Sequence, residues 1–211
     1  MNIKTVPPGL PAFIADHEVF LVVGHKEPDG DCIGSQLALA SFLRRRGKKA
    51  VLLSSGPFTR TEILQYEHAF LDRVPDGLNL SSAALIVLDC SSLSRVGRIS
   101  DQLPSLPVAF IDHHAAGEAS GDVLYIDPSA PSVTLLIQTL IESFGELPTR
   151  EEAELLFFGL ATDTGFFRHL DTEGSDSFLS AARLVERGAS PKRAFSMIYG
   201  GKSLFTRKLM G

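Results

Sequence analysis

Five short apolar runs, rich in valine, isoleucine and phenylalanine, occur in the first 127 residues of the chain. Nearly every position in these runs is apolar, which is typical of strands buried on both faces of a parallel sheet. The runs predict five strands, at residues 19–24, 50–55, 84–89, 108–112 and 123–127.

Helical spacing separates the first two runs and dominates the second half of the chain. Apolar residues recur at Ile33, Leu37, Ala40 and Leu43, which predicts a helix between the first two strands. A strand, a helix and a second strand at this spacing form a parallel crossover unit. Four further helices are predicted, at residues 132–145, 149–163, 174–187 and 191–198. We therefore predict an α/β fold: a doubly wound, mainly parallel five-stranded sheet with helices on both faces.

The composition is that of an ordinary globular protein, with 44% apolar and 21% charged residues. A net charge of −5 argues against general affinity for nucleic acids or anionic membranes, although it leaves room for a local basic groove. Cys32 and Cys90 lie far apart, so neither a disulfide framework nor a structural zinc site is expected. No signal peptide or membrane-spanning stretch is recognised, and we expect a soluble, cytoplasmic protein with no membrane partner.

Polar side chains that can bind metals follow three of the predicted strands. They are His25, Asp29, Asp31, Asp89, Asp112, His113 and His114. Because the carboxyl ends of parallel strands meet at one edge of a sheet, we expect these side chains to lie close together. Asp163, at the end of a predicted helix, reaches the same edge if that helix packs back across the sheet.

Clustered carboxylates repel one another. Two unit charges about 4 Å apart repel by roughly 4 kcal/mol at an effective dielectric of about 20. Either the pKa values of the carboxyls rise or cations lie among them. A mixed nitrogen and oxygen donor set without thiolates suits Mn²⁺ or Mg²⁺ better than structural zinc, although Fe²⁺, Co²⁺ or Zn²⁺ could also bind. Paired metal ions indicate metal-assisted hydrolysis of phosphoesters.

Each of these residues also has a simpler interpretation. An aspartate at a strand end commonly caps the next helix, and residues 29–31 could form a plain turn. We interpret Asp127, before Pro128, as structural. Three other histidines are interpreted as surface or satisfied polar residues: His17, His68 and His169. The coincidence of several signals at one edge favours a site.

Four motifs resemble those of the DHH phosphoesterase family. HKEPDGDCIGS resembles the first motif, DCSSLSRVG the second, DHH at 112–114 the third and ATDTGFF the fourth. Their order and spacing agree with the family from about residue 15 to residue 200. The stretches PDGDCIGS and TDTGFF are most similar to the branch of oligoribonucleases and 3′,5′-bisphosphate nucleotide phosphatases.

The resemblance implies a role for each matching residue. One cation would be held by His25, Asp29 and Asp89, and a second by Asp31, Asp89, His113 and Asp163, with Asp89 bridging. The cations would be two Mn²⁺ ions, with Mg²⁺, Co²⁺, Fe²⁺ or Zn²⁺ as alternatives, and a hydroxide activated by both would attack phosphorus in line. His114 and Asp112 would be the catalytic pair, in which His114 faces the phosphate and Asp112 orients a histidine ring. Arg95 would contact the phosphate, with a structural salt bridge as the alternative.

The chain departs from the family at its end. Catalytic members carry a C-terminal domain with a glycine-rich, histidine-containing motif that grips the nucleotide, and no such motif follows here. We expect residues 1–198 to form the catalytic domain and residues 199–211 to begin an interdomain linker, with the substrate-binding domain absent. Metal chemistry should survive this loss, whereas substrate positioning should suffer.

The resemblance implies hydrolysis of short oligoribonucleotides or of 3′-phosphoadenosine 5′-phosphate, and a homodimer is left open. Alternatives from the same superfamily are an inorganic pyrophosphatase and a cyclic-dinucleotide phosphodiesterase. An alternative of another class is a non-catalytic metal-binding regulatory module. A dehydrogenase is excluded because no Gly-x-Gly-x-x-Gly follows any strand.

Overall fold

Five parallel strands pair into one sheet in the computed structural model, which describes residues 5–115, 117, 119–170 and 174–200. The strands are β1 (Val19–Val23), β2 (Lys49–Leu53), β3 (Ala83–Leu88), β4 (Val108–Asp112) and β5 (Val123–Ile126). Their order across the sheet is β2–β1–β3–β4–β5, and every neighbouring pair is parallel. The predicted α/β class and five-stranded parallel sheet are confirmed.

The described residues also form α-helices before, between and after the strands. They are α1 (Gly9–Asp16), α2 (Gly30–Arg45), α3 (Val133–Ser143), α4 (Arg150–Asp163), α5 (Ser175–Glu186) and α6 (Pro191–Tyr199). The last five agree with the predicted helices to within a few residues. The apolar pattern does not predict α1, because this helix has only eight residues and follows two prolines.

Alternate strand positions pack into two apolar layers. One layer contains Phe20, Val22 and Ile86 together with buried side chains of the α-helices. The opposite layer contains Leu21 and Val87 and is covered by two short 3₁₀ helices, at Leu93–Val96 and Arg98–Gln102. Helices thus cover both faces, but those on the second face are short because the β3–β4 connection contains Gly97, Pro104 and Pro107.

The chain leaves β1 and β3 toward opposite edges of the sheet. From β1 it continues to the outer strand β2, whereas from β3 it continues toward β4 and β5. Open parallel sheets bind ligands at such a switch point, beyond the carboxyl ends of the two strands. The first candidate site residues, at positions 25 and 89, follow these two strands.

No helix among the described residues combines the length and the apolar character needed to cross a membrane. The last described helix ends at Tyr199. Residues 201–211, which make up most of the predicted linker, lie outside the described residues.

Two glycines allow α2 and α4 to approach closely. A Cβ atom at Gly34 would lie 2.7 Å from the carbonyl oxygen of Leu155, and one at Gly159 would lie 3.1 Å from Oδ1 of Asp31. The close crossing brings the N-terminus of α2 to the C-terminal half of α4. It therefore positions Asp31 near Asp163.

We expect Gly34→Ala to lower the free energy of unfolding by about 1–3 kcal/mol, because the added methyl group meets backbone that cannot move away easily. Urea denaturation followed by circular dichroism measures this change. Gly9→Ala is the matched control, since its Cβ would lie 3.7 Å from Val123, an ordinary contact distance. Equal stability of the two variants would contradict the proposed constraint on the crossing.

Candidate metal centre

The register of the sheet explains why His25 and Asp89 meet. Val23 of β1 pairs with Val87 of β3, so positions 25 and 89 both lie two residues beyond this pair. Nε2 of His25 lies 3.3 Å from Oδ2 of Asp89. Two neighbouring strands thus deliver an imidazole and a carboxylate to the same point.

Asp89 is buried without the partners that a carboxylate requires. Its relative exposure is 2%, and its Oδ1 accepts no hydrogen bond from any described residue. Its backbone has a φ of 59°, in the left-handed region, which costs a non-glycine residue about 1 kcal/mol or more. Strain of this kind persists where surrounding structure or a ligand holds the residue, so Asp89 is the first candidate for a cation ligand.

Two histidines direct Nε2 toward this carboxylate because a backbone carbonyl holds the other ring nitrogen. Nδ1 of His25 lies 2.8 Å from the carbonyl oxygen of Lys26, and Nδ1 of His113 lies 3.2 Å from that of Ala130. Donation from Nδ1–H to a carbonyl leaves Nε2 as the metal-binding nitrogen of a neutral imidazole. In His113 this nitrogen lies 3.6 Å from Asp89 and 3.5 Å from Asp163.

Asp29 and Asp31 each anchor the N-terminus of a helix while facing the site. Oδ1 of Asp29 accepts hydrogen bonds from the amides of Asp31 and Cys32 at the start of α2, and lies 3.9 Å from Nε2 of His25. Asp31 accepts from the amides of Val133 and Thr134 at the start of α3, at 2.6 and 2.9 Å. Asp29 therefore caps the next helix, as the simpler interpretation expects, whereas Asp31 lies inside α2 and binds amides of α3. Neither set of hydrogen bonds excludes a metal role.

Asp163 completes the group from the last turn of α4. One donor atom from each of Asp31, His113 and Asp163 lies within 4.8 Å of the others. Partial burial raises the pKa of Asp163 to about 6, as does the nearby Asp89 carboxylate, while His113 opposes the shift. Burial also raises the pKa of Asp31 well above its usual range. The raised pKa values show that the carboxylates of this cluster lack enough positive charge nearby to stabilise their ionised forms.

The pKa values of the two histidines show the same imbalance. Burial alone would lower the pKa of His113, but the carboxylates of Asp89, Asp31 and Asp163 outweigh burial and raise it to about 10. For His25, burial is likewise outweighed by Asp29 and Asp89, and the pKa is raised far above its usual value. Without metal, therefore, both imidazoles hold a proton where a cation would otherwise bind.

His114 and Asp112 form a separate pair at the rim of the site. Nδ1 of His114 lies 2.7 Å from Oδ1 of Asp112, whose other oxygen accepts a 2.6 Å hydrogen bond from Ser91. The contact with Asp112 raises the pKa of His114 above its usual value. The His114 side chain is 40% exposed, so its ring faces the open side of the site.

Arg95 lies in the 3₁₀ helix after β3, where its carbonyl accepts from the Lys26 amide at 2.8 Å. Its side chain is exposed, and its contact with a phosphate stays a prediction. A second arginine was not predicted: Nη2 of Arg60 lies 4.0 Å from Oδ2 of Asp29. Arg60 lies in the loop after β2, outside the sequence motifs, so the sequence gives no sign that it approaches the site.

The remaining acidic and histidine candidates lie outside the described donor groups. Asp127 accepts hydrogen bonds from the amide and hydroxyl of Ser129, as expected of a turn residue. His17 contacts the carbonyl of Phe13 through Nδ1, and His169 contacts Arg168. These contacts agree with the non-ligand interpretation of Asp127, His17 and His169.

The thiol of Cys32 is a donor that the sequence reasoning missed. Ligand atoms of His25, Cys32 and Asp89 lie within 4.8 Å of one another. The signal was present in the first motif, since Cys32 follows Asp31 and lies in the same helical turn as the Asp29 cap.

The donor set fits divalent cations, because imidazole, thiol and carboxylate donors meet in three overlapping groups. These are His25 with Cys32 and Asp89, Asp89 with His113 and His114, and Asp31 with His113 and Asp163. The unpartnered Oδ1 of Asp89 lies 3.6 Å from Nε2 of His113 and 3.7 Å from Nδ1 of His114, whereas Oδ2 lies 3.3 Å from Nε2 of His25. Such nitrogen and oxygen donors suit Mn²⁺, Mg²⁺, Fe²⁺, Co²⁺ or Zn²⁺.

Comparisons with known proteins agree with this geometry. The chain is 33% identical over 153 residues to the bifunctional oligoribonuclease and PAP phosphatase NrnA of Thermus thermophilus, covering 72% of this chain and 45% of that protein. It is 28% identical over 193 residues to the protein of the same name from Bacillus subtilis, covering 90% of this chain and 59% of that protein. The chain thus spans about half the length of these curated relatives.

The fold also matches the crystal structure of an exopolyphosphatase-related protein from Bacteroides fragilis. The TM-score is 0.83 at 23% identity, over 96% of this chain and 62% of that chain. Residues 19–160 match the model of the DHH family, N-terminal domain, a span that contains every candidate ligand except Asp163. The chain therefore belongs to the DHH family.

Proposed function

We propose that this domain is a metal-dependent phosphoesterase that hydrolyses phosphoester bonds of short oligoribonucleotides or of 3′-phosphoadenosine 5′-phosphate. The observation that carries the proposal is the buried Asp89 carboxylate, whose Oδ1 has no described hydrogen-bond partner and which has a histidine nitrogen on either side. Cations bound on either side of Asp89 would satisfy the carboxylate, and each would take up one of the two histidine nitrogens. The named activities of the two relatives support the choice of substrates.

Six side chains would hold two divalent cations, with Mn²⁺ as the first choice. They are His25, Asp29 and Asp89 at one position, and Asp31, Asp89, His113 and Asp163 at the other. When bound, the cations would supply positive charge for the phosphoryl oxygens and lower the pKa of the attacking water. The carbonyls of Lys26 and Ala130 keep the two imidazole rings oriented for this role.

His114 would act on the leaving oxygen of the substrate. Its Nδ1 is held by Asp112, and Asp112 in turn is held by Ser91. Burial alone would raise the pKa of Asp112, but hydrogen bonds from His114 and Ser91 lower it below its usual value. The ionised Asp112 stabilises the imidazolium, whose exposed Nε2–H can then donate a proton to the leaving group.

Arg95 and Arg60 would contact substrate phosphates. Both side chains are exposed, and Arg60 approaches the site from the loop after β2. Their planar guanidinium groups match the geometry of a phosphate and would offset the acidic character of the metal centre. This local positive charge is compatible with the net charge of −5.

A cleft of about 320 Å³, lined by residues 54–58 after β2 and by Glu67, Phe70, Asp72 and Arg98, supports a nucleotide substrate. Phe58 and Phe70 contribute its aromatic wall, and Ser54 and Ser55 contribute hydroxyl groups. The loop that lines it is tied to the first motif, because the Glu27 amide donates to the Gly56 carbonyl at 3.0 Å. Aromatic rings and hydroxyls are suited to a base and a ribose, which pyrophosphate lacks.

The direct test incubates the Mn²⁺-loaded chain separately with a diribonucleotide, 3′-phosphoadenosine 5′-phosphate, pyrophosphate and a cyclic dinucleotide. We expect hydrolysis of one of the first two to exceed that of the others. Preference for pyrophosphate or for the cyclic dinucleotide would favour the corresponding alternative. Metal binding without hydrolysis of any phosphoester would favour the non-catalytic module.

Asp89→Asn should weaken binding of both cations, because the amide keeps the shape of the side chain but removes its charge. We expect saturating Mn²⁺ to raise the melting temperature of the unaltered protein by about 5–10 °C at 100 times Kd, and to have little effect on this variant. Differential scanning calorimetry provides the measurement. Asp127→Asn is the control and should keep both the shift and the activity.

Metal binding should release protons. At pH 7.5 the raised pKa values leave His25 and His113 protonated in the metal-free protein, so we expect these two histidines to release their protons as the cations bind. Affinity should therefore fall as pH falls, and more steeply below about pH 6, where Asp163 also becomes protonated. Titration calorimetry in two buffers of different ionisation enthalpy measures the release. No dependence on the buffer would mean that these histidines do not face the cations.

A further inference from the structure

Cys32 places a thiol in the wall of the first cation position. The residue is the third of α2 and is fully buried. Its Sγ lies within 4.8 Å of ligand atoms of His25 and Asp89. Donor atoms bound to one tetrahedral ion, with bond lengths of about 2.0–2.3 Å, lie at most roughly 4 Å apart, so small side-chain shifts would bring these three to a common ion.

The surroundings of the sulfur favour a role as electron-pair donor. Nε2 of Gln36, one turn further along α2, donates a hydrogen bond to Sγ at 3.4 Å. The sulfur lies against the end of β1, where a Cβ atom at Gly24 would collide with it. The sulfur thus lies near a hydrogen-bond donor, a carboxylate and an imidazole. A cation bound to the last two could also bind the sulfur.

Two unsatisfied oxygens belong to residues whose side chains lie near the thiol, since Gln36 contacts Sγ and Asp89 shares its donor group. Among the described residues, Oε1 of Gln36 and Oδ1 of Asp89 are the buried side-chain oxygens without a hydrogen-bond partner. Gln36 and Asp89 are 0% and 2% exposed. An unpartnered oxygen on each of two buried neighbours of this thiol is unusual, because buried polar groups are normally paired.

We propose that Cys32 supplies a thiolate sulfur to the cation held by His25 and Asp89, giving this position a nitrogen–oxygen–sulfur donor set. The inference rests on the metal centre of the proposed function and adds a residue to it. On binding, the S–H bond breaks, the proton passes to solvent and the sulfur electron pair bonds to the cation. Thiolate ligands prefer softer ions, so this position selects Zn²⁺ or Co²⁺ over Mg²⁺, while the second position, built from oxygen and nitrogen donors, does not.

The competing account is that Cys32 only packs as a small apolar residue at the start of α2. Substitution would then alter stability and leave the bound ion unchanged. A spectroscopic signature of the sulfur–metal bond separates the two accounts, whereas activity alone does not.

The experiment titrates Co²⁺ into the metal-free chain and records visible and near-ultraviolet absorption. Visible d–d bands report that cobalt binds, whichever donors hold it. A near-ultraviolet thiolate-to-cobalt charge-transfer band reports the sulfur ligand. We expect both features in the unaltered chain, and loss of the charge-transfer band with retention of the d–d bands in Cys32→Ser.

Cys90→Ser is the matched control, because Cys90 is also buried but directs its thiol to the carbonyl of Leu88 and belongs to none of the described donor groups. It should keep the charge-transfer band. Cobalt binding without that band in the unaltered chain would overturn the role of Cys32 while leaving the metal centre intact. Absence of the d–d bands as well would overturn the metal centre itself. If Cys32→Ser fails to fold, Cys32→Ala is measured in the same way.

Discussion

A buried carboxylate with one oxygen left without a hydrogen-bond donor is the constraint around which this domain is organised. Asp89 lies at the end of a central strand, away from water, with one oxygen that no described residue satisfies. A charge in that position is costly unless a cation or a proton compensates it. The left-handed backbone at Asp89 and the two carbonyl-held imidazoles are local features that make sense only in relation to that charge.

Negative charge is also distributed onto the helices. The carboxylates of Asp29 and Asp31 accept hydrogen bonds from backbone amides at the starts of α2 and α3, where the helix dipole is positive. The same two side chains remain directed at the site. Under the proposed function each carboxylate would serve both a helix start and a metal ion, and a helix-start signature and a ligand signature would therefore overlap in a single stretch of sequence.

Much of this arrangement follows from the order of residues along the chain. Strand-end positions such as His25 and Asp89 are predictable because parallel strands with matched register deliver their next residues to one edge. The placement of Asp163 depends on how α4 crosses α2, which is set by the approach at Gly34 rather than by any local pattern. Arg60 belongs to a loop whose path is determined by tertiary contacts, so its sequence carries no signal. The spacing of Cys32 from Cys90 gives no sign that its thiol lies near a histidine and an aspartate, because the fold and not the sequence separation brings these side chains together.

The candidate ligands extend from His25, just after the first strand, to Asp163, at the end of the fourth helix. No short fragment of the chain contains the full set, so the unfolded polypeptide offers no preformed chelate. A bound ion would act as a cross-link between the beginning and the far end of the domain, restraining a very long loop. The complete ligand set would form only after the whole sheet has folded. Metal binding would therefore stabilise the native state in addition to taking part in the chemistry.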